Sequence, residues 1–184
     1  MNAAMNAKKL MGLNPVFLDT ETTGLNAFDQ IVEIAVIDIQ GGTLIDTLVK
    51  PTITIPPDAS KIHGITNEMV GNAPLFPVVL RDLQDSVGDR PLLIYNADYD
   101  LKMLRQSAAA HRLNTQMTFN AYCVMKMYAE FYGDWNEYYQ NYRWQSLGSA
   151  AKQCRIDLPE DLHRARVDAE LTRLVFIHMA NQSI

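Results

Sequence analysis

The chain has 184 residues, 48% of them hydrophobic and 20% charged, with a formal charge of -5 from 16 basic and 21 acidic side chains. That apolar content suffices for one ordinary domain covering residues 1–184 and excludes intrinsic disorder. The greasiest stretch, Ile31 to Ile39, already contains Glu33 and Asp38, so no membrane span is expected. The acidic balance argues against a protein that coats long nucleic acid, yet leaves open an enzyme that grips one chain end.

The first ten residues, MNAAMNAKKL, carry their charge after the apolar letters and hold no long apolar run, which does not describe a secretory signal. A cytoplasmic protein is expected, with residues 1–13 as a flexible N-terminal segment. Residues 15 to 50 alternate β-rich runs (PVFLD, QIVEIAVIDI, TLIDTLVKP) with turn signals, which predicts three consecutive strands and a hairpin turn at Gly41-Gly42. Pro51, Pro56 and Pro57 predict an extended link as far as Ser60. Helical patterns follow at 66–71, 76–87, 97–112, 122–142, 146–154 and 165–181, with short buried strands at 91–96 and 117–121. This order makes an α/β layered domain. Cys123 and Cys154 lack a Cys-x-x-Cys spacing and read as buried thiols.

Three segments carry chemistry. In LDTETTGL, Asp19 and Glu21 stand two apart on a strand, so both carboxylates point to one face. Two acids side by side in an apolar strand repel each other and are costly to desolvate. A hard divalent cation compensates them; a pair facing water at a strand end is the alternative. In YNADYDLKML, with Asn96 as cap, Ala97, Leu101, Leu104 and Ala108 form an apolar stripe. Asp98 lies opposite that stripe as an i, i+4 partner of Lys102, whereas Asp100 borders it in the first turn, where the helix dipole favours a carboxylate pointing toward Asp19. In HRARVDA, His163 and Asp168 are five apart, about 140° around a helix. His163 therefore belongs to the loop after Pro159, and Asp168 to the early turns of the last helix. A histidine in such a loop is either a polar surface residue or a proton acceptor.

Together these segments resemble the DEDDh group of 3′–5′ exonucleases, which includes the proofreading subunits of bacterial replicative polymerases. Asp19-Thr-Glu21-Thr-Thr-Gly24 is similar to the first motif of that family, Asn96-Ala97-x-Tyr99-Asp100 to the second, and His163-x-Ala165-x-x-Asp168-Ala169 to the third, in order and over nearly the whole chain. The resemblance implies a ribonuclease H-like α/β fold, a five-stranded mixed β-sheet flanked by α-helices. It implies hydrolysis of nucleic acid, DNA before RNA, from the 3′ end to nucleoside 5′-monophosphates. It further implies two divalent cations, Mg2+ or Mn2+, with Asp19 shared between them, Glu21 and Asp168 on the one that activates water, Asp100 on the other, and His163 as general base. An all-carboxylate set suits those ions better than zinc.

By the same resemblance, Leu25, Ile62 and His63 touch the terminal nucleotides, with ordinary loop packing as the alternative; Arg164 and Arg166 flank His163 and could meet phosphate, with exposed helix-start arginines of no measurable effect as the alternative. The expected partner is a single-stranded or frayed 3′ end of DNA, or of RNA. An exoribonuclease or oligoribonuclease of the same fold, and a non-catalytic nucleic-acid-binding module, are the alternatives. Two places depart from the family pattern: Tyr95 stands where the second motif begins with His, and Asn120-Ala121 where Asp-Thr is usual. Between Tyr128 and Trp144, 17 residues hold 8 of the chain's 16 aromatics, seven of them spaced as one helical stripe, with a break at Gly133-Asp134 as the alternative. Stacking on bases is one reading of that stripe. Glu130, Asp134 and Glu137 repel phosphate, which favours core packing or an interface for a protein partner or homodimer.

Overall fold

The computed structural model describes residues 2–113, 117–159 and 163–182. Three strands open the fold, β1 (Val16–Thr22), β2 (Ile31–Asp38) and β3 (Thr43–Leu48), where the alternating pattern predicts them. The turn between β2 and β3 passes through Gly41 at φ 87°, a conformation strained for residues with a Cβ. Asp38 builds that turn by accepting from the backbone N–H groups of Gln40 (2.9 Å) and Gly42 (2.8 Å). β4 (Leu92–Ile94) and β5 (Ala121–Cys123) complete a five-stranded sheet in the order β3-β2-β1-β4-β5. β1, β2 and β3 pair antiparallel, while β4 runs parallel to both β1 and β5. The sheet is mixed, as expected.

Seven helices accompany it among the described residues: α1 (Ala3–Met11), α2 (Pro57–His63), α3 (Phe76–Val87), α4 (Ala97–Ala110), α5 (Val124–Tyr132), α6 (Leu147–Gln153) and α7 (Ala165–Asn181). The sheet divides two apolar cores. On one face Val16, Leu18 and Val36 pack with Leu83 of α3 and Leu104 of α4. On the other, Phe17, Ile37 and Leu93 pack with Leu10 of α1, Tyr128 of α5 and Phe176 of α7. The Phe17 and Phe176 rings meet edge to face at 5.5 Å, and each such buried side chain stabilises the fold by roughly 1.5–3 kcal/mol.

This layering positions the acids. Alternation puts Asp19 and Glu21 on the face of Phe17, toward α7, and Thr20 on the face of Leu18, toward α4. The β1–β4 register ends at Leu18↔Ile94, and β1 continues four residues beyond it to Thr22. The chain leaves β4 at Tyr95 and enters α4 at Ala97, so the end of β1 and the first turn of α4 lie side by side at one edge of the sheet.

Five expectations need correction. Residues 3–11 are not a flexible segment: Asn2 caps α1 by accepting from the Met5 N–H (2.9 Å), and Ala3, Ala4, Ala7 and Leu10 are buried against the rest of the fold. The prolines at 56 and 57 do not extend the chain to Ser60; Pro57 opens α2 at its first turn, where a missing N–H costs nothing. Residues 66–71 form turns, and β5 begins at Ala121 rather than at 117. The stripe at 122–142 is not one helix. α5 stops at Tyr132 because Gly133 takes a left-handed conformation (φ 83°), and a short hairpin of β6 (Trp135–Asn136) and β7 (Asn141–Tyr142) follows. Tyr128 is buried as a core residue, while Tyr138, Tyr139 and Trp144 are exposed.

Candidate active site

The carboxylates of Asp19, Glu21 and Asp168 converge, with one oxygen from each lying within 4.8 Å of the others. Asp19 and Glu21 arrive from the same face of β1, and Asp168 from the first turn of α7, which crosses over that face. Asp100 stands on the other side of β1. It is 4% exposed in the first turn of α4 and accepts a hydrogen bond from Thr20 Oγ1 at 2.7 Å. Thr20, between the two acids of the first motif, thus fixes Asp100 against β1, near enough for its charge to act on Asp19.

Burial and mutual repulsion disturb the protonation of the cluster. Burial raises Asp19 well above the ordinary aspartate range, and the charges of Asp100, Asp168 and Glu21 add to the rise. Glu21 is pushed up to about 8 by burial and then by Asp168 and Glu33. Asp100 is raised to about 7 by burial, with the Thr20 hydroxyl pulling the other way. Acids held this close fit a divalent cation: the donors are all oxygen, and they are already converged.

The linkage predicts a pH effect. Because Glu21 is raised from 4.5 to about 8, the folded chain binds more protons than the unfolded one. That contribution to stability is fully present below about 4.5 and is lost as pH rises through about 8. The melting temperature of the metal-free protein is expected to fall over this window. Mg2+ or Mn2+ at roughly a hundred times its dissociation constant should raise it by about 5–10 °C, more so toward the alkaline end. A cation effect that is absent, or larger in acid than in alkali, would contradict the cluster's assignment as a metal site.

A residue the sequence reading passed over holds α7 in place. Glu33, on β2 directly across from Glu21, is 2% exposed. It accepts from Arg164 Nε (3.1 Å), from the Arg164 terminal nitrogen, and from the Ala165 backbone N–H (2.9 Å). A buried carboxylate with three charge-assisted or helix-terminal donors is satisfied rather than costly. The signal was present: an acid inside the apolar run IVEIAVIDI needs a partner. Arg164 pairs with Glu33, and Arg166 Nε donates to Thr43 Oγ1 (3.1 Å).

His163 lies just outside α7, exposed, with φ 68°. Residues 160–162 before it fall outside the described residues. His63 is lowered below the ordinary histidine range by burial. His63 is 5% exposed; its Nδ1 accepts from the Ile65 N–H (3.0 Å), which leaves the proton on Nε2. A cleft of about 410 Å³ opens beside the acids, lined by Glu21, Leu25, Ile62, His63 and Tyr99. Leu25 and Ile62 are 75% and 62% exposed, apolar lips at its mouth. Asp98 is exposed and paired with Lys126 Nζ at 2.6 Å, not with Lys102 as the helical phase predicted. Tyr95 is buried, and its hydroxyl donates to the Gln145 carbonyl (2.8 Å), tying the end of β4 to the start of α6.

Comparison with known proteins accords with this geometry. Residues 16–176 match the family described as Exonuclease (RNase_T). An exonuclease of Escherichia phage 186 is 36% identical over 174 residues, covering 92% of this chain and 89% of that one. The DNA polymerase III subunit epsilon of Pasteurella multocida is 30% identical over 175 residues, covering 89% of this chain and 67% of its own length. Among solved structures, Exonuclease X in complex with 5′-overhanging duplex DNA superposes with a TM-score of 0.70 at 27% identity, covering 91% of this chain and 92% of that one. The nuclease domain of 3′hExo, a DEDDh family member bound to rAMP, has a TM-score of 0.69 at 19% identity, over 91% and 92% of the two chains, a likeness of fold.

Proposed function

The chain belongs to the DEDDh-type 3′–5′ exonuclease family, with its ribonuclease H-like fold, and on that premise we propose that it hydrolyses DNA from the 3′ end to nucleoside 5′-monophosphates with the help of two divalent cations. The observation that carries the reading is the convergence of Asp19, Glu21 and Asp168, with Asp100 facing them through Thr20. Asp19 would be shared between the ions, Glu21 and Asp168 would hold one, and Asp100 the other. Mg2+ or Mn2+ suits these oxygen donors and would supply Lewis-acid stabilisation of charge on the phosphoryl oxygens and on the leaving 3′ oxygen. His163 takes the proton of the attacking water. Leu25 and Ile62 hold the terminal nucleotide by its apolar faces, and the buried His63 shapes the floor between them.

DNA is favoured over RNA because the epsilon relative is a subunit of a DNA polymerase and the Exonuclease X structure contains duplex DNA. The substrate is a single-stranded or frayed 3′ end, and the protein works in the cytoplasm as one exonuclease domain; no helix among the described residues is long and apolar enough to cross a membrane. The exposed Tyr138 and Tyr139 directly follow Glu137, whose charge repels phosphate, and Trp144 is exposed just after the hairpin. We assign that hairpin to a second copy or a protein partner.

Incubation with 5′-labelled single-stranded DNA, duplex DNA and RNA tests the reading. Stepwise shortening from the 3′ end, release of 5′-monophosphates and complete loss in chelator are expected, with DNA cut faster than RNA. Products bearing 3′-phosphates, or activity that persists in excess chelator, would overturn the two-ion assignment.

A further inference from the structure

One stripe of α4 is devoted to the loop that follows the first acidic motif. The Tyr99 hydroxyl lies 3.1 Å from the Gly24 carbonyl and 2.6 Å from the Thr22 hydroxyl. One turn on, Lys102 Nζ donates to the Leu25 carbonyl (3.3 Å). A further turn on, Gln106 Nε2 donates to the carbonyls of Asn26 (3.0 Å) and Asp29 (2.9 Å). Positions 99, 102 and 106 share one helical face, so one row of donors meets the carbonyls of Gly24, Leu25, Asn26 and Asp29. The loop is closed on itself as well: Asp29 accepts from the Thr23 hydroxyl (2.7 Å) and the Asn26 N–H (2.6 Å). A Cβ on Gly24 would stand 2.8 Å from Asp29 Oδ2, so only glycine fits there.

What this bracing displays is apolar. Leu25, at the lip of the cleft, is 75% exposed, and Phe28 is 85% exposed on the same loop but outside the cleft lining. A tethered backbone carrying exposed apolar side chains has little entropy left to lose on binding, which is how a contact edge differs from a loose loop. Resting on the nuclease reading above, we propose that Phe28 stacks on a base of the substrate strand next to the nucleotide held in the cleft, and that Tyr99, Lys102 and Gln106 are positioning residues that keep this edge rigid. The occupant is the base row of a single strand because the loop is continuous with the cleft that would take the strand's end, and an aromatic face accepts any base.

Two substrates separate the effects: a single-stranded DNA oligonucleotide, which reaches Phe28, and the 4-nitrophenyl ester of thymidine 5′-phosphate, whose one nucleotide does not. Phe28→Ala is expected to raise the ratio of the oligonucleotide KM to the ester KM by about tenfold, the worth of one base stack. Lys102→Met and Gln106→Met should raise the same ratio about threefold, with Lys102→Arg close to the wild type because it keeps a donor. Thermal melting checks that each variant folds, and the Lys102 pair carries the test should Gln106→Met fail to. An unchanged ratio in Phe28→Ala, or equal rises for both substrates in every variant, overturns the proposal. Wild-type protein inert toward both substrates would instead reject the nuclease reading on which it rests.

Discussion

Asp100→Asn is expected to lower turnover by at least about a hundredfold while leaving the fold intact, and Asp98→Asn to be nearly silent. The two aspartates sit two residues apart in the first turn of α4, yet their surroundings have nothing in common. Asp100 is buried, takes the Thr20 hydroxyl, and faces Asp19 closely enough to raise its affinity for protons. Asparagine keeps its shape and its acceptor for Thr20 but removes the charge that a second cation would need. The same exchange relieves repulsion in the metal-free protein, so its melting temperature should hold or rise even as activity is lost. Asp98 is exposed, and its ion pair with Lys126 is of the surface kind that contributes little. Steady-state kinetics with melting curves for both variants decide the matter. Equal losses, or a larger one for Asp98, would mean that the fourth carboxylate of the site has been misassigned.

The distinction between these aspartates was legible from helical phase alone, although the partner of Asp98 was not. Phase tells which side of a helix a residue occupies, and Lys102 was indeed within reach of Asp98. It does not tell what lies across the gap, and α5 supplies Lys126 there while the loop carbonyl of Leu25 draws Lys102 away. The same rule explains the other successes and failures. β1, β2, α3 and α7 carry long apolar patterns of one period, and their bounds fell close to expectation. α1 buries mostly alanines, which leave a weak pattern, and α2 is opened by a proline that also suits extended chain. The aromatic stripe of 128–142 has helical spacing in a hairpin because residues at 3 and 4 apart are also brought together by a turn, and Gly133 marks where the helix stops. Asp19 and Glu21 stood out because acids in an apolar strand are costly, whereas Asp100 was picked out by helical phase and Asp168 by its place in the third motif. Glu33 met the first of these criteria and was missed, since it lies on a strand whose neighbour across the sheet is Glu21 and whose partner, Arg164, is 131 residues away.

That partner bears on the histidine beside it. Arg164 caps α7 in an extended conformation, and its grip on Glu33 fixes the point from which the chain departs backward to His163. His163 itself takes φ 68°, a left-handed conformation uncommon for a residue with a side chain. The residue is exposed and belongs to none of the converged carboxylates, so its replacement should separate binding from chemistry. His163→Ala is expected to lower turnover by roughly 10²–10⁴, the usual worth of a general base. The rise in melting temperature on adding Mg2+ or Mn2+ should survive, because no carboxylate is lost, and the oligonucleotide KM should change little. Asp168→Ala provides the contrast, losing the cation-dependent rise in melting temperature together with activity. Wild-type turnover in His163→Ala, or a loss of cation stabilisation as complete as that of Asp168→Ala, would remove the histidine from the proton-accepting role.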